Sequence, residues 1–427
     1  MSEALSLRRR LRAALVGRLG PGLITGAADD DPSGVASYSQ AGAQFGLNML
    51  WTVAFTYPLM VAIQLISARI GRVTGAGLAA NLARVFPRPV VAALVALLFV
   101  ANTVNIGADV AAMGAAAELV VGRGATAFTI GFALLSLLLQ LFVPYHAYVR
   151  VLKWLTLALF AYVGVVFTVR IDWAEVVART FVPHLVLDGA ALTVIVAVFG
   201  TTISPYLFFW QSSEEVEDLR LSHERDLRHA GPAEARAELT RIRWDTYVGM
   251  AFSNLVAFFI MLTTAVTLHQ GGLTEIQTTA EAATALRPIA GDLAFLLFSL
   301  GVIGVGLLAV PVLAGSAAYA VAEAFGWETG LERWPWQARG FYAVIVVAMV
   351  LALAVVFSPL DPIRALFWSA VVNGVISVPI MGAMMIVVTR RDEMGAYVAP
   401  LGQRVFGWAA TAVMALAVLG MAFASLA

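Results

Sequence analysis

Eleven stretches of this chain are apolar over about the 20 residues that a helix needs to cross a bilayer. That repetition constrains the fold more than any single motif does. The windows fall at 19–43, 50–70, 90–121, 125–143, 149–169, 191–213, 246–268, 293–324, 341–357, 363–388 and 407–426. In hydrocarbon every backbone N–H and C=O has to be satisfied internally, so windows of this kind become helices. The expectation is an all-α polytopic membrane protein with eleven transmembrane helices. Only 13% of the residues are charged, about half the share of a soluble domain, and mean hydropathy is +0.85. The windows at 90–121 and 293–324 are long, which implies tilt or an extension beyond the bilayer.

Orientation follows from the basic residues, because cytoplasmic loops carry the excess of Lys and Arg. With the N-terminal tail, 1–18, in the cytoplasm, only Arg123, Arg170, Arg179, Arg287 and Arg364 of the 27 basic residues fall outside. The C-terminus is then outside. Arg8-Arg9-Arg10-Leu11-Arg12 resembles the start of a signal peptide, but Gly- and Asp-interrupted sequence and further windows follow, so it reads as the lead-in to a retained first helix. The charged stretch 214–245 reads as a solvated amphipathic helix pair joining windows six and seven, broken near Gly231-Pro232. Trp327, Trp334 and Trp336 read as interfacial anchors, and the run Gly114-Ala115-Ala116-Ala117 as a place of close helix packing. With no cysteine, the chain has no disulfide, thiolate metal site or cysteine nucleophile. Positive and negative charges balance at 27 each and give no basis for a nucleic-acid partner; the expected surroundings are membrane lipid.

The first window contains Asp29-Asp30-Asp31 running into Pro32-Ser33-Gly34. A carboxylate at the bilayer centre costs roughly 2.5–3.5 kcal/mol on insertion scales, and Pro32 breaks the helix and frees backbone carbonyls. Such a feature survives where it lines a polar cavity, so it reads as a cation site. The plainer alternative is an exposed cap, with Asp31 capping a helix that has Pro32 at its first position. Three adjacent carboxylates cannot all ionise cheaply in one cavity, so one or two of them are expected to face a water-filled vestibule. Window six has its own break, Gly200-Thr201-Thr202-Ile203-Ser204-Pro205-Tyr206. Windows one to five (19–169) and six to ten (191–388) then read as two five-helix repeats, the second inverted, with the helix at 407–426 added. Interrupted helices at matching places of two halves are the sequence mark of a secondary-transporter site.

These residues also carry a family resemblance. Gly20-Pro21-Gly22-Leu23-Ile24, the Asp-Pro stretch at Asp31 and Gln40-Ala41-Gly42-Ala43 resemble the first helix of the Nramp divalent-metal transporters. Ser67-Ala68-Arg69-Ile70-Gly71-Arg72-Val73-Thr74-Gly75, Ala108-Asp109, Gly200 through Pro205, and the spacing of Asp245 and Asn254 continue it. The resemblance implies a LeuT-type 5+5 inverted repeat with broken helices 1 and 6 that moves divalent cations by alternating access. It also implies a bacterial inner (plasma) membrane location, a metal that is cargo with no cofactor, and no enzymatic activity.

The departures from that family are specific. Its first break reads Asp-Pro-Gly-Asn with Asp and Asn as ligands; here Asp31 stands at the first and Gly34 at the second. Its sixth helix supplies an alanine carbonyl and a methionine sulfur; here Thr201 and Ser204 stand there. A thioether favours Mn²⁺ and Fe²⁺, whereas Mg²⁺ keeps several waters and is held through one or two carboxylates. The set Asp31, Gly34, Thr201 and Ser204, with Asn373 near the place of a family glutamine, is therefore similar to the Nramp-related magnesium branch. Tyr206 replaces the family's proton-coupling histidine, and Ala112 replaces the glutamate that pairs with Asp109. Window nine has no basic residue. Weak or absent proton coupling is expected, with Asp29, Asp30, Asp109 and Tyr206 along the pathway or a proton relay.

Asn102, Asn105 and Asp109 share one face of the third helix, either lining the pathway or bonding to neighbouring helices. His146 and His184 lack paired ligand spacing and read as neither metal site. The alternatives kept open are a proton-coupled Mn²⁺/Fe²⁺ transporter and a Na⁺-coupled organic-solute symporter on the same fold, the latter disfavoured because the aspartates repel a substrate carboxylate. A monomer is the default oligomeric state.

Overall fold

The computed structural model describes residues 20–143, 155–184, 188–223, 225–357 and 361–426. Among these there is helix and no strand. The N-terminal tail with Arg8 to Arg18, the first part of window five and His146 lie outside the described residues. In chain order the main helices are α1 (Pro21–Asp29), α2 (Pro32–Phe45), α3 (Leu50–Thr74), α4 (Arg88–Val121), α5 (Ala125–Phe142), α6 (Phe160–Val166) and α7 (Gly189–Thr202). They continue as α8 (Pro205–Ser222), α9 (Pro232–Thr264), α10 (Ala294–Phe325), α11 (Arg339–Val356), α12 (Pro362–Thr389) and α13 (Leu401–Leu426). Eight helical stretches among the described residues are long and apolar enough to cross a membrane, with α2 and α3 counted as one and α7 and α8 as another. Shorter apolar helices lie at Leu157–Val166 and Arg339–Ala354.

Two of the expected helices are split where the sequence places proline. α1 ends at Asp29 and α2 starts at Pro32, with the extended residue Asp31 as its N-cap. α7 ends at Thr202 and α8 starts at Pro205, with Ser204 in the capping position. Proline at the first helical position costs nothing, because that N–H has no intrahelical partner in any case. The Asp31 carboxylate accepts the Gly34 N–H and satisfies one of the orphan donors of α2, a cap worth about 1 kcal/mol.

The split helices lie inside the bundle. α7 packs on α12 so closely that a side chain at Gly200 would collide with the Ala370 carbonyl. α1 lies along α9, where Asp245 accepts the Gly22 N–H at 2.8 Å. Asn254, also on α9, donates to the Val53 carbonyl of α3 at 3.0 Å. α5 and α13 lie at the periphery, with mostly exposed apolar side chains. Gly114 has the close-packing role expected of it, since a Cβ there would meet the Thr129 hydroxyl of α5. Trp327, Trp334 and Trp336 are exposed, the last two stacked at 4.9 Å.

One expectation holds in part. The charged segment 214–245 is a pair of helical ends broken at Gly231-Pro232 and much of 228–244 is exposed, but its beginning is not solvated. The segment is the far end of α8 and the near end of α9, joined by a loop and restarted at Pro232 with Gly231 as N-cap. Glu214, Glu215 and Glu217 are buried there. Arg72 of α3 bonds Asp218 and Glu238 at 2.7 Å each, and Arg241 bonds Glu215 at 2.7 Å and Glu238 at 2.9 Å. Part of the charge thus pairs across three helices, while Arg225, Arg236 and Arg243 stay at the surface.

Candidate cation site at the paired helix breaks

The two breaks meet around Asp31, which is 1% exposed. Its Oδ1 accepts the Gly34 N–H at 2.7 Å and the Ser33 hydroxyl at 2.7 Å. Its Oδ2 accepts the Asn105 amide of α4 at 2.8 Å. The same amide nitrogen lies 3.3 Å from Asp109 Oδ2, so Asn105 bridges the two carboxylates. Asn373 of α12 closes the chain through a long contact, 3.5 Å, to Asn105 Oδ1.

On the opposite side, Ser204 does not cap α8. Its hydroxyl turns back to the Gly200 and Thr201 carbonyls, both at 2.7 Å, and these belong to the last turn of α7, where carbonyls lack intrahelical partners. Gly34 faces this end. A Cβ there would stand 3.2 Å from Thr201 Oγ1 and 3.4 Å from Asp31 Oδ1. With Tyr38 Cε2 at 3.3 Å as well, even a Cβ would be crowded, so the glycine lets the carboxylate, the threonine and the Tyr38 ring approach one another. Thr201 Oγ1, Asn373 Oδ1, Asp109 Oδ1 and Asp29 Oδ1 are buried with no hydrogen-bond partner among the described residues. All four are oxygens, the hard donors that suit Mg²⁺, Ca²⁺ or Mn²⁺.

Asp29 and Asp30 do not face a vestibule. They are 0% and 4% exposed, because α9 packs over them and Ser253 approaches both, at 2.5 Å from Asp29 and 3.0 Å from Asp30. The Tyr206 hydroxyl donates to the Ala28 carbonyl at 3.0 Å, one of the carbonyls freed where α1 ends. Tyr38 and Thr202 hydroxyls lie 2.9 Å apart and tie α2 to α7.

The polar face of α4 divides in two. Asn102 bonds the Leu313 carbonyl at 2.9 Å and Ser316 at 2.8 Å on α10, an interhelical tie. Asn105 and Asp109 turn to Asp31. Sequence reasoning missed Ser33 and Ser253 altogether. Ser253 had a signal, since it stands eight residues after Asp245 on one face of α9 and both bond to α1. Among the described residues no three His, Asp or Glu side chains form a metal cluster, and a cation between the breaks would rest on one or two carboxylates, amide and hydroxyl oxygens and backbone.

An all-helical membrane bundle with two discontinuous helices meeting at a buried carboxylate defines a membrane transporter of the LeuT type. The chain belongs to the Nramp family: the sequence model of that family, described as natural resistance-associated macrophage protein-like, matches residues 22–424. Among curated relatives, the divalent metal cation transporter MntH of Yersinia pestis (strain Pestoides F) is 30% identical over 312 residues, 70% of this chain and 71% of that protein. MntH of Klebsiella pneumoniae (strain 342) is 26% identical over 96% of this chain and 94% of its own. In fold, the Eremococcus coleocola manganese transporter, solved with an aromatic bis-isothiourea compound, superposes with a TM-score of 0.73 at 15% identity, covering 97% of this chain and 87% of that one. Mhp1, a nucleobase-cation-symport-1 family transporter, superposes with a TM-score of 0.56 at 12% identity, covering 96% and 93%.

Proposed function

We propose that this protein carries divalent metal cations into the cytoplasm across a bacterial inner membrane by alternating access, with Mg²⁺ or a broad set of divalent ions as cargo and little or no proton coupling. The observation that carries the ion preference is the donor set at the breaks. Where a thioether would favour a transition metal, Ser204 turns its hydroxyl to the Thr201 carbonyl, and Gly34 brings no side chain to Asp31. An all-oxygen donor set suits an ion that keeps some of its waters. Asp31 supplies the charge, and Thr201, Ser204 and Asn373 supply neutral oxygens.

Tyr206 spends its hydroxyl on the Ala28 carbonyl, a structural bond where the family's histidine would exchange protons. The membrane potential then drives entry, at about 2.3 kcal/mol per charge per 100 mV. The same reading takes eleven spans in two inverted five-helix repeats, with the N-terminus inside and the C-terminus outside, in a monomer surrounded by lipid.

A second reading is a proton-coupled Mn²⁺ or Fe²⁺ transporter, of which the name of the manganese transporter that this chain superposes on supports the Mn²⁺ cargo alone. Influx of Mg²⁺ and of Mn²⁺ into proteoliposomes, each at two luminal pH values, separates the two. The proposal expects Mg²⁺ influx with no acidification of the lumen. Influx of Mn²⁺ alone, rising steeply with an imposed proton gradient, establishes the second reading.

A further inference from the structure

Two glutamines are buried beside the break of α7 and α8 with nothing bonded to them. Gln64 of α3 is 1% exposed and Gln211 of α8 is 0% exposed. In both, the amide oxygen and the amide nitrogen lack a partner among the described residues. A buried amide kept for structure is hydrogen-bonded, because leaving it unbonded forfeits its hydration for no return.

Register places both on one lane. The Ser67 hydroxyl of α3 bonds the Phe208 carbonyl of α8, and a side chain at Gly71 would collide with the Ser212 carbonyl. The two helices therefore run in the same direction, with residues 67 and 71 level with 208 and 212. Gln64 lies two turns before Gly71 on the same face, which directs it at α8 and brings it level with Pro205, next to the break. Gln211 lies two turns after Ser204 on the face that carries it. Glu215 and Asp218 continue that face to the ion pairs with Arg72 and Arg241.

We propose that Gln64 and Gln211 are solvating groups on the route of the cation, accepting hydrogen bonds from its retained waters as it passes between Asp31 and the end of the bundle closed by Arg72 and Arg241. Waters around a divalent ion point their hydrogens outward and need acceptors. An amide oxygen supplies one without the full charge that would trap the ion, and conduction requires sites that hold weakly enough to release. Beyond the amides, the carboxylates of Glu215 and Asp218 are already paired with arginine. The inference rests on the proposed function and names further residues that determine passage rather than binding.

The test uses Gln64→Met and Gln211→Met, which remove the amides at similar volume, in purified full-length protein and in proteoliposomes. Each is expected to lower maximal divalent influx roughly tenfold, the effect of one lost hydrogen bond to the moving shell. Calorimetric binding of Mg²⁺ or Mn²⁺ is expected to stay within about twofold of wild type, and the melting temperature to hold or rise, because no protein bond is lost. Gln211→Asn, which keeps an amide, retains a rate between those of wild type and Gln211→Met. Unimpaired influx in both methionine variants overturns the inference. So does a fall in melting temperature, which marks a structural bond, or a binding loss equal to the flux loss, which makes the amides ligands of the Asp31 site. Wild-type protein that carries neither ion overturns the functional reading together with this one; wild-type flux with unimpaired variants overturns only this one.

Discussion

Two clusters of wholly or partly buried carboxylates in this bundle are satisfied differently. At the joined ends of α3, α8 and α9, Glu215, Asp218 and Glu238 meet the guanidinium groups of Arg72 and Arg241. At the helix breaks, Asp29, Asp30, Asp31 and Asp109 meet, among the described residues, hydroxyls, an amide and a backbone N–H. A buried ion pair roughly breaks even against its desolvation, so the first region behaves as a clamp. Hydrogen bonds alone do not repay the burial of several neighbouring carboxylates, so the second region suits a cation. The same residue type thus pairs with arginine in one place and clusters without it in the other. The clustering of four carboxylates, more than the lack of arginine alone, carries the proposed binding role, since Glu217 is also buried on a hydroxyl and a backbone N–H.

If that contrast holds, substitutions in the two regions part company. The largest effect is expected from Asp31→Asn, which keeps the shape and removes the charge: divalent influx should fall at least ~100-fold, on the order of the cost of removing one partner of a buried charge pair. Detergent-solubilised protein should still elute as wild type on size exclusion. Arg72→Met should act on the fold instead, costing about 2 kcal/mol of stability, less than a fully buried pair would because Asp218 and Glu238 keep some solvent. A thermal melt should show this, while metal affinity measured by calorimetry changes little. Next comes the double substitution Gly34→Asn with Ser204→Met, which restores the softer donor set and should move the Mn²⁺-to-Mg²⁺ affinity ratio roughly tenfold towards Mn²⁺. A ratio that does not move would break the link between these two residues and ion choice. The smallest effect is expected from Ser253→Ala, about 1 kcal/mol through the bonds to Asp29 and Asp30, read as a lower melting temperature and not as a change in ion preference.

The breaks were legible in sequence because they are local: Asp31 followed by Pro32, and Ser204 followed by Pro205, state a cap and a first helical position within two residues. Gly34 was legible for the same reason, as a position three residues into a capped helix. What the sequence did not give was partnership over distance. Asn105 shares a face with Asn102, and only the packing of α2 and α10 against α4 sends one to Asp31 and the other to Leu313. The stretch 214–245 read as solvated because charge density along a chain resembles a surface. The burial of Glu214, Glu215 and Glu217 at its start shows only once α8 packs on α3, whose Arg72 lies more than a hundred residues earlier. Ser253 sits two turns beyond Asp245, and its role emerges only when α1 lies along α9.

The most direct test of the contrast is where a divalent ion settles. Crystals soaked in Mn²⁺, an oxygen-seeking ion that scatters anomalously, should show a peak within roughly 2.5 Å of an Asp31 carboxylate oxygen, and Asp31→Asn crystals should lose it. A peak beside Glu215 and Asp218 with none at Asp31 would contradict the account, because it would place the cation site in the region assigned to the arginine clamp.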